Sequence, residues 1–421
     1  MATPPAKPFG YWTLTFLVIA NMLGAGVFTT SGFTLASLHS PTLVLLAWLV
    51  GGIIACCGAY SYGLLTRRHP ESGGEYAFLS RTIHPAVGFI AGWVSLLAGF
   101  SGAIAFAALA LESYCKPAAL PPRLLAITIV LIGAAAHGLH RHLGAKFQNA
   151  AVLLKLILLA AFLAIGTWSA TTAPWQGLPT APTPTTFPTL AFAQALVWIS
   201  LSYSGFNAAV YVAGEAENPN IVAKSLITGT LAVTLLYLLL NATFILAPPA
   251  NLISGRADIA TLAAQWIAGP SFATLVKTII ALALITSVLS MMMAGPRVYS
   301  RMAQDRLLPQ IFIIRPHRTW PPVLLQAAVA ILLILAGTIQ NLLAYLGLTL
   351  SLCAATSVAS LFRAPREKRP TPLQSIPPIL FILATLTAAT LLAIRDPLQT
   401  AGTATTLLLG TLAYLNSSKT R

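Results

Sequence analysis

Charge is scarce in this 421-residue sequence: 8% of the residues are Asp, Glu, Lys or Arg, and only nine are acidic. With 57% hydrophobic residues and a mean hydropathy of +0.81, there is too little polar surface to clothe soluble domains. Cysteine is scarce as well. Cys56, Cys57, Cys115 and Cys353 lie within or at the edge of apolar runs without a repeated spacing, which excludes a disulfide framework and a metal knuckle and leaves them as small packing residues. The seven histidines and nine acids form no acid, base, metal or nucleophile constellation inside those runs, which argues against an enzyme. The one histidine group, His137, His140 and His142 in "HGLHRH", matches no ordinary zinc spacing and reads as a basic loop; neither metal nor cofactor is expected.

What is present is apolar length. A hydrocarbon core of about 30 Å needs about 20 helical residues. Runs of that order recur near 12–34, 41–65, 85–111, 123–140, 147–168, 188–213, 222–247, 270–294, 321–339, 341–362, 376–394 and 399–416. They do not alternate as β-barrel strands would, so the expectation is an all-α membrane protein of about twelve transmembrane helices, a single domain solvated by the lipid bilayer.

A net charge of +15 would suit a nucleic-acid binder, so the positions of the charges decide. With the N-terminus inside, eighteen basic residues fall in inner loops and ends, five outside (Lys116, Arg123, Arg256, Lys277 and Arg395), and Lys155 falls within a span. That asymmetry orients a multi-pass protein of the cell inner (cytoplasmic) membrane with both termini cytoplasmic, and nucleic acid is not a partner. The first span lacks a small-residue cleavage site after a short apolar core and is read as retained.

The Pro/Thr-rich "TTAPWQGLPTAPTPTTFP" (171–188) separates five spans from the next five, and "RAPREKRPTPLQSIPP" (363–378) precedes the last two. The partition is 12–170, 188–362 and 376–416. An odd number of helices per repeat inverts the second repeat relative to the first. Between the seventh and eighth spans, "DIATLAAQWIAG" (258–269) is compatible with an interfacial helix.

Two spans are interrupted. "NMLGAGVFTTSG" (21–32) puts Gly24 and Gly26 mid-span, and "SLSYSGFNAA" (200–209) puts three serines, Gly205 and Asn207 in the sixth. Glycine within a helix costs about 1 kcal/mol and invites unwinding, which is tolerated in a membrane only against protein or a wet cavity. Small residues also allow close helix packing. Paired interruptions at corresponding places in two halves point instead to a midplane site, with Asn21 and the Thr29-Thr30-Ser31 cluster facing the wet pathway.

At these residues the sequence resembles the amino acid-polyamine-organocation superfamily, in its branch of bacterial amino acid permeases. The resemblance is carried in order by "GAGVF" (24–28), "RRHPESGGEYAFL" (67–79), "LGAKFQNAAVLLKLI" (143–157), "YSGFNAAVYVAGEAENP" (203–219) and "PRVYSRMAQDRLLP" (296–309). It implies a five-plus-five inverted repeat of the leucine-transporter type, with discontinuous first and sixth helices and two peripheral helices. It also implies substrate carboxylate at the amides of Ala25 and Gly26, α-ammonium at carbonyls around Met22, Leu201 and Ser204, and Phe206 as an aromatic cap. Gly24, Ser202 and Gly205 belong to the same site. Free amides suit an anion and free carbonyls a cation, so a broken pair suits a zwitterion.

Lys155 is compatible with snorkelling to the nearby interface and with function. The resemblance implies that it replaces a sodium ion and takes part in proton coupling or in stabilising the site. Among the remaining acids, Glu215 and Glu217 are expected to pair with the arginine-rich loop after span eight and Asp305 within that loop. Glu71 and Glu75 belong to the loop between spans two and three, and Glu112 to the outer interface. The pocket-lining candidates Asn21, Gly99, Ala103, Ser202, Asn207, Ser287 and Ser290 include no mid-depth acid, which favours neutral amino acids. The expectation is a sodium-independent secondary carrier for amino acids working by exchange or with protons. The alternatives are a cationic amino acid or polyamine antiporter, or a channel or non-transporting sensor. Sequence does not choose the oligomeric state.

Overall fold

The computed structural model describes residues 9–115, 120–139, 145–172, 175–176, 187–315, 318–363, 365 and 369–419. They are helical almost throughout. The first apolar run is two helices, α1 (Tyr11–Met22) and α2 (Gly26–Leu38), bent by 41° across residues 23–25. Then come α3 (Pro41–Arg68), the short α4 (Gly74–Thr82) and a long third crossing. That crossing is α5 (Pro85–Val94), a π-helical stretch (Ser95–Gly102) and α6 (Ala103–Cys115). Helices α7 (Leu124–Leu139) and α8 (Ala145–Thr172) complete the first half.

In the second half, α9 (Thr189–Tyr203) tightens into a 3-10 helix (Ser204–Glu215) and is followed by α10 (Pro219–Leu246) and the single turn α11 (Ala250–Ile253). Next is α12 (Ile259–Gln304), broken by non-helical Ala268 and by Gly269 at φ 79° just before Pro270. Helices α13 (Trp320–Ala336), α14 (Ile339–Ala359), α15 (Pro372–Arg395) and α16 (Pro397–Lys419) end the chain.

Among the described residues each of the twelve apolar runs is mostly helical. By length and composition, seven of the described helices can cross a membrane, or eight with the bent α1/α2 pair as one. The apolar stretches at Leu124–Ala136, Leu153–Ser169 and Trp320–Ala336 are shorter, and α16 carries many Thr and Ser. Leu231, Leu235, Leu332 and Leu383 are more than half exposed, as lipid-facing side chains of a multi-pass membrane protein are.

The helix starts are written in the sequence. Ser40, Asn218 and Thr371 each cap a helix whose next residue is proline, accepting from the amides of Leu43 (3.4 Å), Ile221 (3.1 Å) and Gln374 (3.4 Å). Glu112 is a cap as well: it accepts from the amides of Arg123 (2.6 Å) and Ala126 (3.0 Å) at the start of α7. Inside the bundle small residues bring helices into contact. A Cβ on Gly51 would stand 2.7 Å from Ile199, and one on Gly229 2.8 Å from Val18. These contacts seat α3 against α9 and α1 against α10, so the two interrupted spans share one core.

The segment 259–267 is helical, but its Ile259, Ala260, Ala263 and Ala264 are fully buried in protein rather than lying on an interface. The four cysteines are free and half-buried. His140 and His142 lie outside the described residues, as does the His137 side chain. Among the described residues no group of His, Cys, Asp and Glu could hold a metal.

Candidate functional site

Where α1 stops, its backbone groups lose their helical partners, and the structure shows which find substitutes. The Met22 carbonyl accepts from the Gly24 amide (2.7 Å) and from the hydroxyl of Tyr237 on α10, which fills both of its lone pairs. Tyr237 also reaches the Ser202 carbonyl at 3.0 Å, so one buried hydroxyl bridges the two interrupted spans. The Leu23 carbonyl accepts from the Lys155 ammonium at 2.6 Å, and Lys155 is only 7% exposed. Rather than snorkelling, this lysine of α8 is turned into the break.

The amides tell the opposite story. Among the described residues, those of Ala25, Gly26 and Val27 find no hydrogen-bond partner, although all three residues are buried. An unpaired buried amide costs about 1–3 kcal/mol, so this group is poised for an anion at the positive end of α2.

In the sixth span the interruption is a change of helix type rather than a gap. The Leu201 carbonyl takes the Ser204 amide and the Ser204 hydroxyl (2.8 Å), and the chain continues as 3-10 helix with a kink at Val212. The two breaks touch through reciprocal glycines. A Cβ on Gly205 would lie 2.5 Å from the Asn21 carbonyl carbon, and one on Gly26 2.9 Å from Ser202 Cα and closer still to its hydroxyl. Gly24 is less crowded, with Ser287 Oγ at 3.7 Å.

Beside this junction lies a cavity of about 420 Å³. Of the residues singled out from sequence, it is lined by Asn21, Gly99, Ala103, Ser204, Gly205, Phe206, Asn207 and Ser290; Met22, Gly24, Ala25, Gly26, Leu201, Ser202, Lys155 and Ser287 are not among its lining residues. Gly99 belongs to the π-helical stretch and Ala103 follows it, an irregularity typical of sites. The Phe206 ring is braced edge-on by Tyr62 (5.3 Å) and Phe381 (6.1 Å).

The cavity reaches the surface at exposed Glu215 and Arg297, the end where Phe9 pairs with the 3-10 segment (Phe9 N to Glu215 O, 2.9 Å). No residue of α2 lines it. That opposite end is sealed: the Gly255 amide donates to Gly32 O at 2.8 Å, and a Cβ on Gly32 would overlap Arg256 O and stand 2.7 Å from Ile259. The Asp258 carboxylate, bonded to Arg256 at 3.0 and 3.1 Å, raises the guanidinium above its usual pKa and stiffens the seal.

The expected wet role of Thr29, Thr30 and Ser31 is not what the structure shows. All are fully buried and bonded within protein: Thr29 to Ala25 O (3.1 Å), Thr30 to Ser202 Oγ (3.4 Å), and Ser31 to Asn241 (2.5 Å) and Trp48 (2.7 Å). Glu75, assigned from sequence to a loop, is buried on the first turn of α4 and lines the cavity. Asp305 pairs with Arg301 (3.4 Å) and Glu71 with Arg81 (2.8 Å); Glu215 and Glu217 join none of the ion pairs among the described residues. Sequence reasoning missed Tyr237 and Glu75. The PxSGGxY pattern was a signal for the second, because Gly73 and Gly74 have φ of 134° and 56° and turn Glu75 inward.

A helical membrane protein with two interrupted spans meeting over a one-sided cavity has the architecture of a solute transporter. The amino acid permease family model matches residues 9–413, and the chain belongs to that family: it is an amino acid transporter. It is 26% identical over 404 residues to the mouse b(0,+)-type amino acid transporter 1, covering 90% of this chain and 81% of that one. To the serine/threonine exchanger SteT of Bacillus subtilis it is 26% identical over 348 residues, covering 80% and 78%. To the rat large neutral amino acids transporter small subunit 2 it is 24% identical over 401 residues, covering 90% and 74%.

The glycine seal yields a prediction. Gly32→Val inserts atoms where Arg256 O lies, at a cost of roughly 1–3 kcal/mol to the form closed at the α2 end. A cysteine placed at Thr30 in a background without native cysteines is then labelled several-fold faster by an impermeant thiol reagent from that side than in the Gly32 parent; equal labelling rates contradict the assignment of the seal.

Proposed function

We propose that this permease is a sodium-independent secondary carrier that moves amino acids by alternating access, in exchange for another amino acid or together with a proton, with neutral amino acids preferred. The observation that carries it is the trio of buried, unpartnered amides at Ala25, Gly26 and Val27. They suit a carboxylate, which a polyamine lacks. The α-ammonium is assigned to the carbonyls at Met22, Leu201 and Ser204. The first two are engaged in this structure, so binding must displace the Tyr237 or Ser204 hydroxyl from them. Gly24, Ser202, Gly205 and Phe206 complete the site, and Asn21, Gly99, Ala103, Asn207, Ser287 and Ser290 shape its surroundings. The exchanger and neutral-substrate names of the relatives support the same reading.

The ammonium of Lys155 on the Leu23 carbonyl supplies a positive charge at the break, which is the ground for sodium independence. The architecture inferred is twelve spans, with 12–170 and 188–362 as inverted five-helix repeats and 376–416 as two peripheral helices. The positive-inside asymmetry puts the open end of the cavity and both termini in the cytoplasm, in a bacterial inner membrane. A cationic amino acid is the second reading, favoured by Glu75 in the cavity wall.

Counterflow in proteoliposomes tests this. Uptake of labelled L-serine, L-leucine, L-arginine and putrescine is compared with and without sodium, internal amino acid and a pH gradient; saturable uptake of the amino acids without sodium, and none of putrescine, is expected, and unsaturable flux would mean a channel. Gly26→Leu forces a side chain into Ser202 and over the amides, so transport falls below about a tenth of wild type while membrane insertion is retained. Normal transport by that variant refutes the carboxylate site. Lys155→Ala leaves the Leu23 carbonyl unpaired and lowers exchange by about tenfold or more; unchanged rate, affinity and pH dependence would remove Lys155 from the mechanism.

A further inference from the structure

Glu75 is a carboxylate that the site proposed above does not use. It is 5% exposed, yet it forms part of the cavity wall. Its Oε1 accepts from the Tyr62 hydroxyl (2.9 Å) and the Asn207 amide (2.5 Å), and its Oε2 from the Tyr211 hydroxyl (2.6 Å). None of these donors is a cation, and the ion pairs among the described residues lie elsewhere.

A carboxylate buried in a wall is costly unless donors hold it, and here three neutral donors converge on two oxygens without cancelling the charge. The first turn of α4 adds the positive end of a helix. About four acceptor positions less three leave one, on Oε2. Two of the donors, Asn207 and Tyr211, come from the 3-10 segment just past Ser204 and Phe206, so the charge lies immediately beyond the sixth-span break, on the open side. The other acid in the cavity wall, Glu215, is at the exposed mouth with Arg297. Because Met22 and Leu201 have their carbonyls filled, an ammonium group leaving the break meets Glu75 as its first anion.

We propose that Glu75 is a transit subsite for the ammonium group of the amino acid, between the breaks and the open mouth of the cavity. It takes the α-ammonium of any amino acid and equally the side-chain cation of a basic one. The inference rests on the reading of the chain as an amino acid carrier, and the test separates the two.

Wild type, Glu75→Gln and Glu75→Asp are reconstituted, and counterflow of L-serine, L-leucine and L-arginine is measured while their concentration is varied on the side bearing Phe9. N-acetyl-L-leucine, which keeps the carboxylate and side chain but has no ammonium, is tested as an inhibitor from the same side. Glu75→Gln is expected to raise the half-saturation of the amino acids by roughly tenfold, more from this side than from the other, with the action of N-acetyl-L-leucine unchanged. Glu75→Asp recovers most of the loss. If Glu75→Gln yields too little folded protein, Glu75→Asp, which withdraws the charge by one methylene, is read alone for the same ordering at smaller amplitude. Equal half-saturation in all three proteins overturns the subsite while leaving the carrier reading intact. So does a parallel change for amino acid and N-acetyl analogue, which would mark a purely structural role. Absence of saturable exchange by the wild type overturns the carrier reading itself and the subsite with it.

Discussion

The structure depends on what becomes of the backbone groups between Met22 and Val27, where a membrane helix stops and restarts. In hydrocarbon such groups would each cost several kcal/mol, so the break exists only because protein surrounds it. Two of its carbonyls are satisfied by side chains from elsewhere in the chain, Tyr237 for Met22 and Lys155 for Leu23, while the amides of Ala25, Gly26 and Val27 are left over. The asymmetry carries information. The carbonyl side of the break is held by residues more than a hundred positions away, whereas the amides of Ala25, Gly26 and Val27 have no partner among the described residues. On the proposed reading a site built this way would bind an anion by completing the protein's own hydrogen bonding, so that one bend between α1 and α2 would serve at once as a flaw in a helix and as a receptor.

The glycines at the junction answer to two demands. Gly26 and Gly205 are there because no side chain fits where the two interrupted spans cross, as the contacts with Ser202 and Asn21 show. Packing and function are therefore the same constraint at these positions, since the closeness that excludes a Cβ also brings both breaks to one place. Gly32 repeats the device one level out, where backbone meets backbone in the seal. A cavity that reaches Arg297 at one end and is shut by Gly32 against Arg256 at the other is what one face of the proposed alternating-access cycle requires.

Local chemistry explains how much could be read in advance. Helix positions followed from apolar length, and the interruptions followed from glycine where glycine is expensive, at Gly24–Gly26 and Gly205. Partnership was not legible. Whether Thr29, Thr30 and Ser31 face water or protein depends on Asn241, Trp48 and Ser202, and nothing in a twelve-residue window reveals them. Tyr237 looks like any membrane tyrosine until Met22 and Ser202 are beside it. Glu75 was assigned to a loop because its neighbours are Ser72, Gly73 and Gly74, yet those glycines, in left-handed geometry, are what allow α4 to press against Tyr211 and turn the carboxylate inward. A short polar motif between membrane spans thus carries no burial signal of its own; burial is conferred by the helices that close over it.

On the proposed reading, selectivity follows from where charge lies. Positive character is concentrated at the start of α2 and at Lys155, neither of which lines the cavity, and negative character at Glu75, which does. In a low-dielectric surround these fields reach far and are little screened. A molecule with a single charge is attracted to one pole and repelled by the other. On the proposed reading a zwitterion would gain at both, its carboxylate at the α2 amides and its ammonium passing Glu75 on the way to and from the break, at no net charge cost for crossing the apolar interior. On the proposed reading the arrangement would recognise the backbone common to all amino acids and leave the side chain to the neutral wall of Gly99, Ala103 and Ser290, where shape rather than charge would discriminate.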